Sequence, residues 1–377
     1  MSHLCILNSK MQNMKASHYL AVLFATLALL CLLHTLAFVY QLGGPVRASY
    51  YQYGFLTAKR YVLEKANEEL NGKRKLVILS GSNGWFGIDS KLLSEGLGIR
   101  AVNAGTNYNL AFAFMAQVVE PYLRPYDVVL LPLEYELYTR AAYGLWFTHE
   151  QMAWNPEYFW QLNSTDKLKF LKSVPLERML AGTLAQAFRE QSSELQHRVR
   201  PAPEDVRRAL QELWNSLDTG PLTQQVGVYS FLNMNRDGDA LIGLGTMAPG
   251  AAHIDYGLKQ AFVESTDNWE ALRAFSQRCR SQHIRVYVTW PSIVKNPDLD
   301  FSSPAVHTHL RAITDRLTAM NIPIVGTPED FAYDSEWMAD TYYHLNPRGK
   351  AQRTRQLISL LKQELPSATT SGHTQVY

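Results

Sequence analysis

The stretch Leu76-Val-Ile-Leu-Ser-Gly-Ser-Asn-Gly-Trp-Phe-Gly-Ile-Asp89 decides how this chain folds. Four apolar residues suit a short buried strand, Ser80-Gly81-Ser82-Asn83 breaks it, and Leu92, Leu93 and Leu97 then mark a helix. A hydroxyl placed where a parallel strand turns into a helix lies at the carboxyl edge of a sheet. Free backbone N–H groups of the first helical turn sit beside it. Ser82 is therefore a candidate nucleophile. Ser80 and Ser82 read equally well as helix caps, and this segment alone does not separate the two.

Working outward, the same rhythm repeats. Arg100 to Asn103 reads as a second strand ending at Ala104-Gly105-Thr106. Leu110 to Leu123 suits a helix, and Asp127 to Leu133 reads as a third buried strand. Strand, helix, strand, helix, strand implies a parallel sheet with right-handed crossovers. The rhythm stops between about residues 135 and 260, where the pattern is mainly helical: Met152 to Trp160, Asp166 to Leu171, Leu176 to Gln191 and Glu204 to Leu217. An insertion of this kind commonly shapes substrate access, although it can equally only stabilise the fold. The rhythm returns with a helix from Asp267 to about Gln282 and a strand from Ile284 to Thr289. A helix from Pro304 to Met320, a strand from Ile322 to Val325, and a final helix from Pro347 to about Leu365 follow. Asn346 makes a good N-cap and Pro347 a good first helical residue. The tail 366–377 is polar and expected to be disordered.

Before the sheet, Tyr19 to Tyr40 reads YLAVLFATLALLCLLHTLAFVY, with His34 its one readily ionisable side chain. As a helix it would extend roughly 33 Å, enough to cross a bilayer core, with a tyrosine at each interface. No small-x-small cleavage site follows, which favours an uncleaved anchor over a signal peptide. Residues 1–18 form a short lead carrying Lys10 and Lys15 and no acid, whereas Arg47, Lys59 and Arg60 follow the span. This shallow bias favours a cytoplasmic amino terminus. Residues 41–72 read as a helical stalk, with Phe55, Tyr61, Leu63 and Leu70 as a partial stripe.

The 377 residues suffice for one large domain or two ordinary ones. A net charge of +2 without a dense basic run argues against nucleic acid. The three cysteines, Cys5, Cys31 and Cys279, form no CxxC pair. No Walker or Rossmann fingerprint is present, and neither a cofactor nor a metal is expected. Asn233 to Gly238 imitates the start of a calcium loop, but Leu244 stands where the bidentate Glu belongs, so a turn is expected.

Several strand ends converge on one edge of the sheet, where such folds bind ligands. Ser82 follows the first strand, Asn103-Ala-Gly105-Thr-Asn107 the second, and Pro132-Leu-Glu134-Tyr135-Glu136 the third. Asp340 and His344 precede the last helix. A loop histidine with a carboxylate four residues earlier is the pairing that a serine nucleophile requires. Glu134, Tyr135 and Trp290 are expected to contact substrate. Glu134 and Glu136 could alternatively act as acid–base groups or pair with arginines.

These residues carry a resemblance to the SGNH, or GDSL-type, hydrolase superfamily, and more closely to the membrane-anchored members of bacterial polysaccharide and cell-wall O-acylation systems. Gly81-Ser82-Asn83 is similar to the nucleophile block, Asn103-Ala-Gly105 to the second block, and Asp340 with His344-Leu-Asn346-Pro-Arg-Gly349 to the last. The likeness covers about residues 73–133 and 267–365. It implies a flavodoxin-like, three-layer parallel α/β domain over residues 73–365, interrupted by the helical insertion at about 135–260. It also implies a Ser82–His344–Asp340 triad and an oxyanion hole built from the Ser82 and Gly105 N–H groups. The third block usually supplies an asparagine. Here that position reads Pro132-Leu-Glu134-Tyr135-Glu136 without an asparagine, so a backbone or side-chain N–H from another position, such as Asn83 or Asn107, would have to substitute. The family spaces its Asp and His by two residues rather than three, which leaves Asp334 as an alternative to Asp340. By analogy the chain would be a single-pass inner-membrane protein with a periplasmic domain, moving acetyl groups on an envelope polysaccharide as O-acyltransferase or esterase. An integral-membrane acyltransferase of the MBOAT type would be its partner. The alternative is a catalytically silent scaffold or glycan-binding component.

Overall fold

The computed structural model describes residues 2–43, 50–188, 203–216, 227–241, 245–248, 250 and 252–365. The tail expected at 366–377 lies outside them, as do Arg47 and the end of the helix expected to reach Gln191. The chain divides into two units: Met1–Ala48 with Thr148–Arg200, and Ser49–Phe147 with Pro201–Tyr377. The expected insertion at 135–260 is therefore not one body, since its middle part joins the amino-terminal unit.

In the larger unit the strands are β1 (Lys75–Ile78), β2 (Arg100–Asn103), β3 (Val128–Pro132), β4 (Arg285–Thr289), β5 (Ile293–Val294), β6 (Ile324–Val325) and β7 (Ala332–Tyr333). Five of them form a parallel sheet in the order β2-β1-β3-β4-β6. β5 and β7 make a separate parallel pair that the sequence did not announce, each strand being only two residues long. The central strands are buried on both faces, with Leu76, Val77, Ile78, Val129, Leu130 and Leu131 all at 0 % exposure. This is why they read as continuous apolar runs. Helix Ser90–Leu97 packs against Pro347–Glu364, and Phe112–Val119 against Thr266–Ser281. Right-handed crossovers put these pairs on opposite faces. The chain steps from β1 outward to β2, then returns across β1 to β3. The β1/β3 boundary is thus the point where winding reverses, and a crevice opens there at the carboxyl ends.

Two buried lysines fix the sheet margins. Lys75 Nζ lies 2.5 Å from Asp127 Oδ2, whose other oxygen accepts the Lys75 N–H at 2.9 Å; both side chains are fully buried. This pair ties the entry of β1 to that of β3. Lys59 lies on helix Tyr50–Leu70, within the segment expected as a stalk. That helix instead packs into the sheet unit, burying Phe55, Leu56, Ala58, Lys59, Tyr61, Val62, Leu63 and Ala66. Lys59 Nζ donates to Asn103 O at 3.0 Å and Gly238 O at 2.6 Å, so it joins the end of β2 to the 235–239 turn. That turn is the calcium-loop look-alike. Asn235 Oδ1 accepts the Asp237 and Asp239 N–H groups, and Asp239 binds Ser90.

The smaller unit contains helix Ser2–Tyr40, whose segment Ala16–Tyr40 is long and apolar enough to cross a membrane. Helices Pro156–Gln161, Ser164–Lys172 and Leu176–Ala187 accompany it. Helix Leu145–Trp154 ends at Asn155 because Pro156 must begin a new helix, which divides the expected single element Met152 to Trp160.

Burial pulls the Lys59 ammonium down from its ordinary 10.5 to about 7, with Asp239 opposing. Above about pH 7 the folded chain has lost a proton that the unfolded chain keeps up to about 10.5, so this group makes stability rise with pH across that window. Urea unfolding of the purified chain at about pH 7 and about pH 9 should show that rise, and Lys59→Met should flatten it.

Candidate active site

Ser82, His344 and Asp340 meet at the carboxyl edge of the sheet. The turn after β1 delivers Ser82 as the first residue of the short helix Ser82–Gly87. His344 comes from the loop that Asn346 closes by capping helix Pro347–Glu364, its Oδ1 accepting from Arg348 and Gly349 N–H. An antiparallel bridge between Met338 and Leu345 folds this loop back on itself, and Ala339 N–H donates to His344 O at 2.8 Å. The result is a continuous hydrogen-bonded series. Ser82 Oγ lies 2.8 Å from His344 Nε2, and His344 Nδ1 lies 2.9 Å from Asp340 Oδ1. With the carboxylate as acceptor Nδ1 carries the proton, leaving Nε2 to accept from the serine hydroxyl. Phe86 packs its ring 4.5 Å from the imidazole and fixes its plane. Asp334, the alternative partner, instead pairs with Lys295 at 3.3 Å.

Asp340 has a second donor, Tyr229 OH, from a loop that no sequence pattern marked. Burial is the largest influence on Asp340 and opposes ionisation. Hydrogen bonds from His344 and Tyr229 outweigh it, and the carboxyl sits below its ordinary range. The Tyr229 phenol is pushed up, first by burial and then by that carboxylate. Asp340 thus stays anionic and Tyr229 a donor throughout the neutral range.

Glu134 holds the nucleophile turn. Fully buried, it accepts Gly81 N–H on Oε2 at 3.1 Å and Asn83 N–H on Oε1 at 3.2 Å. Its carboxylate occupies the place where a side chain on residue 81 would go, so glycine is required there. The N–H groups on either side of Ser82 are thereby engaged. Ser82 N–H itself has no acceptor among the described residues and is the donor that the turn leaves free. Glu134 is therefore a brace behind the nucleophile rather than a substrate contact, an acid–base group or an arginine's ion-pair partner.

The other expected donors fare differently. Asn83 is fully buried: its amide donates to Pro132 O at 2.7 Å, and its oxygen accepts from Arg353 at 2.9 Å, so it does not reach the reacting face. Gly105 N–H donates to Asn103 Oδ1 at 2.9 Å and is engaged within its own segment. Residue 105 is glycine because a Cβ would press on Trp85 N and Gly81 O, which lets the two strand ends lie side by side. Asn107 lines the cavity that Ser82 shares; its oxygen accepts Asn109 N–H at 2.8 Å, and its NH2 has no acceptor among the described residues. Tyr135 and Trp290, expected at the substrate, are 1 % and 2 % exposed and pack behind the turn.

The cavity measures about 600 Å³. Ser82 and His344 share its wall with Phe55, Trp85, Tyr108, Trp146, Tyr229, Tyr342 and Tyr343. Glu136 is its carboxyl group; Tyr343 OH donates to it at 2.7 Å, and burial raises its pKa above the ordinary value. Among the described residues no cluster of three or more His, Cys, Asp or Glu is placed to hold a metal ion.

Arg353, on helix Pro347–Glu364, was also not singled out in the sequence. It donates to Asn83 O at 3.0 Å, Ser292 Oγ at 3.2 Å and Trp290 O at 3.1 Å. A signal for it existed. Gly349, Arg353, Leu357 and Leu361 recur every four residues, so the apolar stripe of the final helix runs straight through Arg353.

Fold and site together define a parallel α/β protein with a Ser–His–Asp constellation at the point where its winding reverses. Compared with known proteins, the chain matches no family model and no curated protein.

Glu134→Gln would offer one acceptor and one NH2 to two N–H donors and so loosen the turn. The variant should fold, as read by circular dichroism. Displacing the nucleophile should slow modification of Ser82 by a serine-directed fluorophosphonate about 100-fold.

Proposed function

We propose that the chain is a membrane-anchored serine acyltransferase or acylesterase of SGNH type, acting on a hydroxyl-rich acceptor of the cell envelope. The observation that carries this reading is the unbroken Ser82–His344–Asp340 series in the wall of an aromatic cavity. Ser82 Oγ attacks the acyl carbonyl while His344 Nε2 takes its proton, and Asp340 stabilises the imidazolium. Ser82 N–H and the Asn107 NH2 are the donors for the tetrahedral oxyanion. His344 then returns the proton to the leaving group, and a second hydroxyl, from sugar or water, deacylates Ser82. The strand order β2-β1-β3-β4-β6 agrees with flavodoxin-like winding and supports the family resemblance.

Flat aromatic walls and the carboxyl of Glu136 suit a sugar ring and its hydroxyls, in keeping with a polysaccharide acceptor. The apolar helix supports a membrane anchor, while the inner membrane and a periplasmic domain follow from the family resemblance alone. An integral-membrane acyltransferase of the MBOAT type would supply the acyl group.

A second reading, a silent glycan-binding component, draws support from the engaged Gly105 N–H and the missing third-strand asparagine. Exposure of the detergent-purified chain to a fluorophosphonate, with peptide mapping, separates the two. The enzyme reading expects adduct on Ser82, none in Ser82→Ala, and turnover of a small acyl ester reduced by about 10³-fold or more in His344→Ala. An unlabelled wild type would favour the binding component.

A further inference from the structure

Helix Leu176–Ala187, in the smaller unit, is built inside out. Leu176, Leu180 and Leu184 are 65, 59 and 58 % exposed, and Phe188 continues the ridge at 55 %. Their four-residue spacing puts them on one face. Beyond Glu177 the exposed positions of this segment are Leu180, Ala181, Leu184, Ala187 and Phe188, none of them charged. The buried face holds Arg178, whose Nη1 donates to Gln41 Oε1 at 2.5 Å, along with Met179 and Gly182. A water-facing helix has the opposite arrangement, with charge outside and leucine inside. Polar groups turned inward and apolar groups outward is the arrangement that a hydrocarbon environment selects.

The neighbour of this helix says which environment that is. It packs against the apolar helix, and with Ser164–Lys172 the two bound a groove of about 910 Å³. Leu30, Leu33 and Ala37 line it from one side, and Leu168, Leu171 and Leu180 from the other. Leu30 to Ala37 lies in the half of the candidate span Ala16–Tyr40 nearer Gln41. Leu176 and Leu180 of the ridge line the same groove as Leu30 and Leu33, so what fills the groove meets both helices. The 12 residues of the helix reach about 18 Å, too short to cross a core of about 30 Å but long enough to sit within one leaflet. Lys167, Lys169 and Lys172 on the preceding helix suit the headgroup level, where long cationic side chains extend toward water.

We propose that helix Leu176–Ala187 enters the bilayer leaflet beside the apolar helix, with Leu176, Leu180, Leu184 and Phe188 against lipid acyl chains and Ser164–Lys172 at the headgroup level. The chain would then be held by a three-helix membrane element rather than a single anchor. This does not depend on the chemistry at Ser82.

The test is spin labelling of the full chain in phosphatidylcholine–phosphatidylglycerol vesicles, with Cys5, Cys31 and Cys279 replaced. Nitroxides go on Leu180→Cys, Leu184→Cys and the water-facing control Arg311→Cys, whose native side chain is 72 % exposed. The ratio of collision rates with oxygen to those with a water-soluble nickel chelate should exceed one at 180 and 184 and fall below one at 311. Chelate access at 180 and 184 equal to that at 311 would put the ridge in water and overturn the proposal. Low collision rates with both reagents would show a protein surface, a second copy of the chain, covering the ridge, and would overturn it equally.

Discussion

One guanidinium decides whether the sheet edge can hold a reactive geometry. Arg353 is fully buried, and its two terminal nitrogens bind Asn83 through backbone and side chain, Trp290 through its carbonyl, and Ser292 through its hydroxyl. These partners belong to the turn after β1 and the segment after β4, while Arg353 rides on the helix whose amino terminus positions His344. A single planar cation therefore ties the segment that carries Ser82 to the helix that follows His344. Burial brings its pKa down to about 10, which still leaves it charged in the neutral range. Removing such a group would leave several buried acceptors unsatisfied at once.

The turn that Arg353 supports from below is gripped from behind by Glu134. A carboxylate at the amino terminus of a helix is favourable for the resting protein. It would sit less comfortably beside the oxyanion that the proposed chemistry forms at Ser82. The site answers by geometry: the carboxylate takes the N–H groups on both sides of Ser82 and leaves the middle one free. Tyr229 does the corresponding work at the other end of the series, holding the Asp340 oxygen that His344 does not use. Glu134 and Tyr229 each orient one end of the Ser82–His344–Asp340 series.

Much of this was legible in the residues. Four buried strands and the final helix fall within a residue or two of where apolar runs and caps put them. Ser82, Asp340 and His344 stand out because strand ends and a capped helix locate them without knowledge of packing. The remainder depends on partners far along the chain. Lys59 and Arg353 look like surface charges until the carbonyls that surround them are known. Glu134 looks like a pocket carboxylate until Gly81 and Asn83 turn their N–H groups toward it. Tyr229 sits in a loop whose position only the folded sheet defines. Residues 41–72 carried a stripe too weak to distinguish a free-standing helix from a packed one. The insertion divided between two units because helical periodicity reports an apolar face and not which body that face meets.

The bond between Ser82 and His344 joins residues separated by 262 positions. A chain made from its amino terminus therefore carries the Ser82 hydroxyl over those 262 positions with no imidazole beside it. The imidazole and Arg353 arrive together, since helix Pro347–Glu364 positions one and bears the other. Any product cut short before that helix would carry Ser82 as an ordinary alcohol. Emergence of helix Pro347–Glu364 is in this sense the step that completes the hydrogen-bonded series at Ser82.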